Sequence, residues 1–504
     1  VVVPRPVSSV AASGAPFVLT AGARISIAGA GADAVARLLR DGLSADGAPE
    51  LEIVREPPAF GDVAVVVADH EGPEDHRAEG YVLEVTAEGV RIGAATEAGA
   101  FWGVQTLRQL ARPGAGESAG APGIAPVRIV DHPRFGYRGA LLDVARHFFT
   151  PAEVRRFIDG IALLKVNHLH LHLTDDQGWR LEILSRPRLT EIGGSTGCDG
   201  SRGGFFSQQE FRDLVAYAAE RHITIVPEID LPGHTTAALA SYPELNPDGV
   251  PPAVYTGREV GFSTLLTGHA PTERFLHDVI TEVAALTPGP FLHIGGDECL
   301  STSPEDFDAF VADTTRIVAA TGKIPVGWHE IGRAPGLAPG TVGQYWDFRV
   351  PRGHAADRAQ AFVRGGGRVI MSPADAAYLD IVYEEGDTIG QDWTGGPTDL
   401  GTAYRWDPAR IVPGLDDAHI LGVEAALWTE TVPTIEDAEE MTYPRLAAVA
   451  EIGWSAVPPA SRPIEEARDL NEFAARLAAL AEHWDVLGTR YRRVEGVPWP
   501  EPAA

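Results

Sequence analysis

The sequence predicts an α/β protein in which a (β/α)8 TIM barrel, residues 131–504, follows a small α+β domain, residues 1–130. Three observations carry the prediction. From Phe135 onward, eight short apolar runs recur with helical stretches between them. Each run ends in polar and aromatic residues, where a barrel gathers its functional loops. Before that point the texture differs: alternating runs and two helical patterns, without an acid pair, a histidine cluster or a phosphate-binding loop.

In the first domain, strands are expected at Asp62–Val67, Tyr81–Val85 and Gly89–Ile92, the last two as a hairpin. Helices are expected at Ala32–Leu43 and Ala98–Leu110, where Phe101, Val104, Leu107 and Leu110 share one face. Arg112–Pro126, rich in Gly, Ala and Pro, reads as a linker or long turn. The eight barrel strands are expected at Gly139–Asp143, Val166–Leu173, Ile223–Pro227, Phe291–Ile294, Ile324–Trp328, Thr341–Trp346, Arg368–Ser372 and Ile420–Trp428. Helices fit between them at Pro151–Leu164, Gln208–Glu220, Thr272–Ala285 and Pro304–Ala320. Thr150 is placed to cap the first of these, with Pro151 at its opening position. Tyr443–Trp454 and Pro463–Leu480 close the chain as helices.

Composition excludes several functions. A formal net charge of −29 argues against nucleic-acid partners and against docking on anionic membranes. No stretch is apolar for long enough to span a bilayer. Two cysteines, Cys198 and Cys299, are too few for a disulfide framework and form no CxxC pattern. Cys299 follows an acid pair directly, yet lacks an evident helper, so a small buried thiol is expected. The chain opens at Val1 without methionine; a removed upstream segment is expected, for which a signal peptide is one reading, and a secreted protein is expected with a cytoplasmic one as the alternative.

The strand ends carry the chemistry. Strand four, Phe291-Leu292-His293-Ile294, stops at Gly295-Gly296 and presents Asp297-Glu298. If both acids face one pocket, repulsion drives their proton affinities apart, leaving an acid and a base or stabiliser. The alternative is a solvated pair opening a helix. Around them the other ends bring Arg146, Asp175, Asp230, His234, Trp328, Trp346, Tyr378, Asp380, Trp428 and Glu430. Aromatic walls with acids and an arginine suit a sugar ring, whose C–H faces stack on indoles while its hydroxyls bond to charged groups. Three tryptophans at equivalent strand ends, Trp328, Trp346 and Trp428, favour a ligand cage over core packing. His168, His170 and His172 alternate on strand two and share one face. A metal site is one reading; packing, in the barrel interior or against the helix layer, is the other, and no known zinc spacing accompanies them. No metal and no cofactor are expected.

Several blocks then match a known family. His293-Ile294-Gly295-Gly296-Asp297-Glu298 closely resembles the signature of the family-20 glycoside hydrolases, the β-N-acetylhexosaminidases. Asp143 to Phe149, His172 to Arg180 and Pro227 to His234 also resemble that family's blocks, in its order. The resemblance spans nearly the whole chain. It implies an exo-acting enzyme that removes terminal β-linked GlcNAc or GalNAc with retention. By that resemblance Glu298 is general acid and then base, and Asp297 orients the substrate's own 2-acetamido group, which attacks to form an oxazolinium. Tyr378 would bond the acetamido oxygen. Trp328, Trp346 and Trp428 would wall the sugar, with Trp393 on the leaving-group side. Arg146, Asp380 and Glu430 would hold hydroxyls, and Asp175, His234 and Asp230 would support the acid. The implied partner is a carbohydrate. Competing readings are a retaining glycosidase with an enzyme nucleophile, a silent sugar-binding protein, and a metal hydrolase built on the histidines.

Overall fold

The computed structural model describes residues 2–111, 123–459 and 461–501. Most of the expected linker, residues 112–122, lies outside them.

The first part of the chain builds a seven-stranded mixed sheet. In spatial order its strands are Ser8–Ala11, Val127–Asp131, Tyr81–Thr86, Gly89–Ala94, Val63–Val67, Arg24–Ala28 and Glu52–Val54. The 81–86 and 89–94 pair is the expected hairpin. Helices Ala32–Ala45 and Glu97–Ala111 pack against one face of the sheet and against each other. Four strands have no counterpart in the sequence reading: 8–11, 24–28, 52–54 and 127–131. Two of them, Ser8–Ala11 and Glu52–Val54, are short and largely solvent-facing edge strands, so no apolar run marks them.

All eight expected barrel strands form, and they close a parallel barrel: Tyr137–Asp143, His168–His172, Thr224–Glu228, Phe291–His293, Ile324–Trp328, Val342–Tyr345, Val369–Met371 and Ile420–Leu427. Closure comes from the last strand pairing with the first, Gly422 opposite Tyr137 through Leu427 opposite Leu142. The helix Pro151–Leu163 starts as anticipated. The Thr150 side chain accepts from the Glu153 N–H while Glu153 reaches back, a capping box with proline at the opening position. The closing helices differ in detail. Pro444 separates Ile435–Thr442 from Arg445–Trp454, since a residue before proline is driven out of the helical region. Asp469 caps a new helix, Leu470–Leu487, accepting from the Asn471 and Glu472 N–H groups, so the expected 463–480 helix is broken there.

The sheet and the barrel meet through buried polar contacts. Lys165 Nζ lies 2.9 Å from Asp131 Oδ2 and 2.9 Å from the Tyr81 hydroxyl, with Trp454 Nε1 donating to the other oxygen of Asp131. Arg138 on the first barrel strand reaches Glu79 at 2.7 Å. Among the described residues no helix is long and apolar enough to cross a membrane.

Candidate active site

The site starts from the backbone beyond strand Phe291–His293. Gly295 and Gly296 take φ of +67° and +97°, a region that glycine enters without steric cost. Neither position has room for a side chain: a Cβ on Gly295 would lie 1.7 Å from Asp230 Oδ1, and one on Gly296 2.3 Å from Ile331 Cγ2. Asp230 Oδ1 accepts the Gly296 N–H at 3.1 Å, tying this turn to the end of strand three. The turn delivers Asp297 and Glu298 together to the mouth. Glu298 itself has φ +46°, uncommon for a residue with a Cβ. Its side chain is 37% exposed, that of Asp297 13%.

A line of charges stands behind the pair. Arg146 Nη2 is 2.8 Å from Asp175 Oδ2. Asp175 Oδ1 accepts from His234 Nδ1 at 3.1 Å, and His234 Nε2 faces Asp297 at 3.7 Å and Glu298 at 3.6 Å. Burial opposes a charge on His234, but Asp175 and Asp297 outweigh it and push the imidazole up to about 10. Burial also opposes ionisation of Asp175, yet Arg146 and His234 hold it well below the usual carboxylate range. Glu298 goes the other way. Burial, then repulsion from Asp297, push it up to about 7 against the pull of His234 and Arg146. A carboxyl poised there holds a proton near neutral pH and can also surrender it. Burial and Asp297 raise Asp230 well above the carboxylate range.

Beside the pair opens a cavity of about 480 Å³. Of the predicted residues, Arg146, Asp297, Glu298, Trp346, Tyr378, Trp393, Trp428 and Glu430 line it; Asp175, Asp230 and His234 stand behind the acids. Trp393 lies 6.0 Å, ring to ring, from both Trp346 and Tyr378, and Tyr378 lies 6.2 Å from Trp428. Trp346 is fixed by Nε1 donating to Glu330 at 2.9 Å. Trp328 is placed otherwise than the sequence reading has it. It is 1% exposed, donates to Glu228 Oε1 at 3.0 Å, and backs Trp428 from one layer below, without lining the cavity. The cause is register: Trp328 is the last residue of its strand, whereas Trp346 and Trp428 follow theirs.

Acceptors without donors mark where a ligand would sit. Asp297 Oδ1, both oxygens of Asp380 and Glu430 Oε2 are buried, with no donor among the described residues. Such groups cost about 1–3 kcal/mol each unless a partner reaches them. A larger cavity, about 770 Å³, lies between Leu400, Leu470 and the 492–497 segment, and none of the predicted strand-end residues lines it. Neither cysteine suits nucleophilic attack. Burial pushes Cys198 up to about 12 and Cys299 higher still, and Cys299 Sγ donates to the Asp297 carbonyl at 3.1 Å.

The comparisons agree with this geometry. The family model described as glycosyl hydrolase family 20, catalytic domain, matches residues 135–457, and that of domain 2 of the same family matches residues 1–132. The chain belongs to glycosyl hydrolase family 20. Among family 20 relatives is a beta-N-acetylhexosaminidase of Cellulomonas fimi, 40% identical over 510 residues, covering 100% of this chain and 98% of that one. The solved family 20 β-N-acetylhexosaminidase of Streptomyces coelicolor superposes with a TM-score of 0.91 at 43% identity, covering 99% of this chain and 98% of that one. A mutant Streptomyces plicatus β-hexosaminidase in complex with its product GlcNAc superposes equally well, at 43% identity and 99% and 97% coverage.

The family 20 site also holds residues that the sequence reading did not assign. Glu330 lies two residues beyond strand five, so its signal was visible; burial and Asp297 push it up to about 8. Arg258, Val260, Arg352 and Gln391 line the cavity from long loops, away from any strand end. The alternating histidines face the barrel interior, where His170 pairs with Glu228 and Glu424, and His172 with Glu228. His170, Glu228 and His293 bring ligand-type atoms within 4.8 Å of one another, but Glu228 already faces several imidazoles there.

Proposed function

We propose that this chain is an exo-acting β-N-acetylhexosaminidase that releases terminal β-linked GlcNAc or GalNAc by a retaining, substrate-assisted route. The observation that carries the assignment of roles is Asp297 Oδ1, a buried acceptor at the cavity wall with no donor in the described chain. The N–H of a 2-acetamido group is the donor it lacks.

In this reading the sugar enters the cavity with its hydroxyls toward Arg146, Asp380 and Glu430: the guanidinium donates to hydroxyl oxygens, and the unpartnered carboxyl oxygens of Asp380 and Glu430 accept from hydroxyl groups. Trp346 and Trp428 enclose the ring and the acetamido methyl, Trp328 backs Trp428, and Trp393 lies toward the leaving group. Glu298 gives its proton to the glycosidic oxygen as the acetamido carbonyl oxygen attacks the anomeric carbon and the bond to the leaving group breaks. Tyr378 holds that oxygen, and the Asp297 carboxylate offsets the positive charge of the oxazolinium. Glu298, now ionised, takes a proton from water as the water opens the ring, which restores the acid and retains the configuration. Asp175, with Asp230 nearby, keeps His234 against the acid. Supplying the nucleophile from within the substrate makes the attack intramolecular, with the advantage that proximity gives.

A panel of aryl β-glycosides differing only at C2 and C4 tests the reading. The 2-acetamido substrates should turn over and the 2-hydroxy glucoside should be essentially inert. Mass spectrometry after a 2-fluoro glycoside should find no covalent sugar. A stoichiometric adduct on an Asp or Glu would establish an enzyme nucleophile instead.

A further inference from the structure

Below the acid pair the middle of the barrel axis carries alternating carboxylates and imidazoles, above an apolar layer that includes Val226, Phe291, Val342 and Ile370. At the foot of this column, Glu424 Oε2 accepts from the Tyr137 hydroxyl at 2.5 Å and Oε1 from Gln344 Nε2 at 2.6 Å. Glu424 Oε1 lies 2.9 Å from His170 Nδ1, and His170 Nε2 lies 3.0 Å from Glu228 Oε2. The same Glu228 oxygen lies 2.6 Å from His172 Nδ1, and His172 Nε2 lies 2.8 Å from Asp175 Oδ2. Asp175 then holds His234 beside Glu298. All of these side chains down to Glu424 are buried from water.

We propose that His172 and Glu228 are positioning residues for the acid: they complete a charge-alternating column that fixes Asp175 and His234, and through them sets the proton affinity of Glu298. The inference rests on Glu298 being the acid, as proposed above.

Hydrogen bonding and charge agree at His172. His172 has both ring nitrogens against carboxylate oxygens, an arrangement satisfied only when both carry protons. Burial opposes that charge, but Glu228, Asp175 and Asp143 push His172 up to about 10. His170, between Glu228 and Glu424, is likewise pushed up to about 9. His293 is the exception. Its Nδ1 accepts the Gly295 N–H and lies 3.0 Å from Glu228 Oε1, and burial lowers its proton affinity against the pull of that carboxylate. Asp230 also approaches His172 and Asp175; burial, then the carboxylates of Asp297, Glu228 and Asp175, raise it well above the usual carboxylate range. The groups that act on Glu298 directly are Asp297, His234, Arg146 and Asp175. The column beneath acts on Glu298 from farther off, by the field of its charges and by fixing Asp175 and His234. Its three imidazoliums balance its three carboxylates, and removing any one member leaves an unbalanced charge in a medium that screens poorly.

The test is the alkaline limb of kcat/KM against pH for a phenyl N-acetyl-β-glucosaminide, which reports the free enzyme's essential acid. H172Q removes a positive charge, so the limb should move up. E228Q keeps the acceptor for Trp328 and removes a negative charge, so the limb should move down. At roughly 10 Å and an effective dielectric of about 20, each shift is about one unit. The double variant H172Q/E228Q restores the balance and should return the limb toward wild type. A merely structural role would lower kcat without moving the limb, and the double variant would be the worst of the three. Should H172Q not fold, E424Q replaces it and must move the limb in the same direction as E228Q, by less. Immobile limbs in the variants that fold overturn the inference. E298Q separates the two readings: if the wild-type limb persists in it, the assignment of Glu298 fails, whereas a limb lost in E298Q but unmoved in the column variants condemns the column alone.

Discussion

Gly295→Ala tests how tightly the acid pair is positioned. The added Cβ would sit 1.7 Å from Asp230 Oδ1, where ordinary contact begins near 3.4 Å. One side must therefore give by about 1.7 Å, and the Asp230 carboxyl cannot withdraw and still accept the Gly296 N–H. Two costs add. Alanine at φ +67° carries about 1–2 kcal/mol of backbone strain. Losing one buried hydrogen bond adds about 1 kcal/mol. The kinetic effect should be larger than the loss of stability implies, because Asp297 and Glu298 follow the displaced turn directly. A misplacement of about 1 Å costs on the order of 10²-fold, so kcat/KM should fall at least that far while the protein stays folded. Gly340→Ala is the control: its φ is +78°, but nothing lies within 4 Å of its Cβ. It should show the strain as a lower thermal midpoint and leave kcat/KM unchanged. Steady-state kinetics with thermal unfolding decides the matter. A Gly295→Ala enzyme within a few-fold of wild type, or indistinguishable from the control, refutes the argument that this turn aims the acids.

Glu298→Gln should harm substrates with poor leaving groups most, by about 10²–10⁴-fold, and dinitrophenyl glycosides far less; equal losses on both would remove Glu298 from the acid role. Stability should fall on the alkaline side. His170, His172 and His234 hold their protons to about 9, 10 and 10, above an unfolded value of 6.5, so their contribution is complete below pH 6.5 and is lost as pH rises through 9 to 10. Denaturant midpoints at pH 6 and pH 9.5 measure this, and a flat profile would contradict the charged column. Activity should survive exhaustive chelation, because the histidine and carboxylate clusters are engaged with one another; loss on chelation with recovery on adding zinc would establish a metal site.

Much of this protein was legible in its sequence, for identifiable reasons. The barrel strands are buried on both faces and so appear as apolar runs, and glycines, acids and tryptophans mark where each run stops. The Thr150 and Pro151 start is local chemistry and needs no tertiary information. The strands at 8–11 and 52–54 were not legible because their residues mostly face solvent and owe their conformation to a neighbouring strand. Trp328 shows the limit at the site. A strand end can be read to within a residue, but one residue separates a side chain that walls the cavity from one buried beneath it. Arg258 and Gln391 arrive from long loops whose path no periodicity encodes. The destination of the alternating histidines was likewise open, since a shared face does not say which carboxylates lie opposite.

The paired charges in the barrel interior constrain how this chain can change over time. An aliphatic core drifts one residue at a time, because a slightly larger or smaller neighbour is tolerated. Here, replacing His170 with leucine would strand Glu228 and Glu424 with too little positive charge, and replacing Glu424 would strand His170. Each single step leaves an unbalanced buried charge and costs stability, so changes that come in compensating pairs are the easier route. The inner barrel should accordingly be inherited as a complete set or exchanged as one, while the apolar layer outside it varies freely.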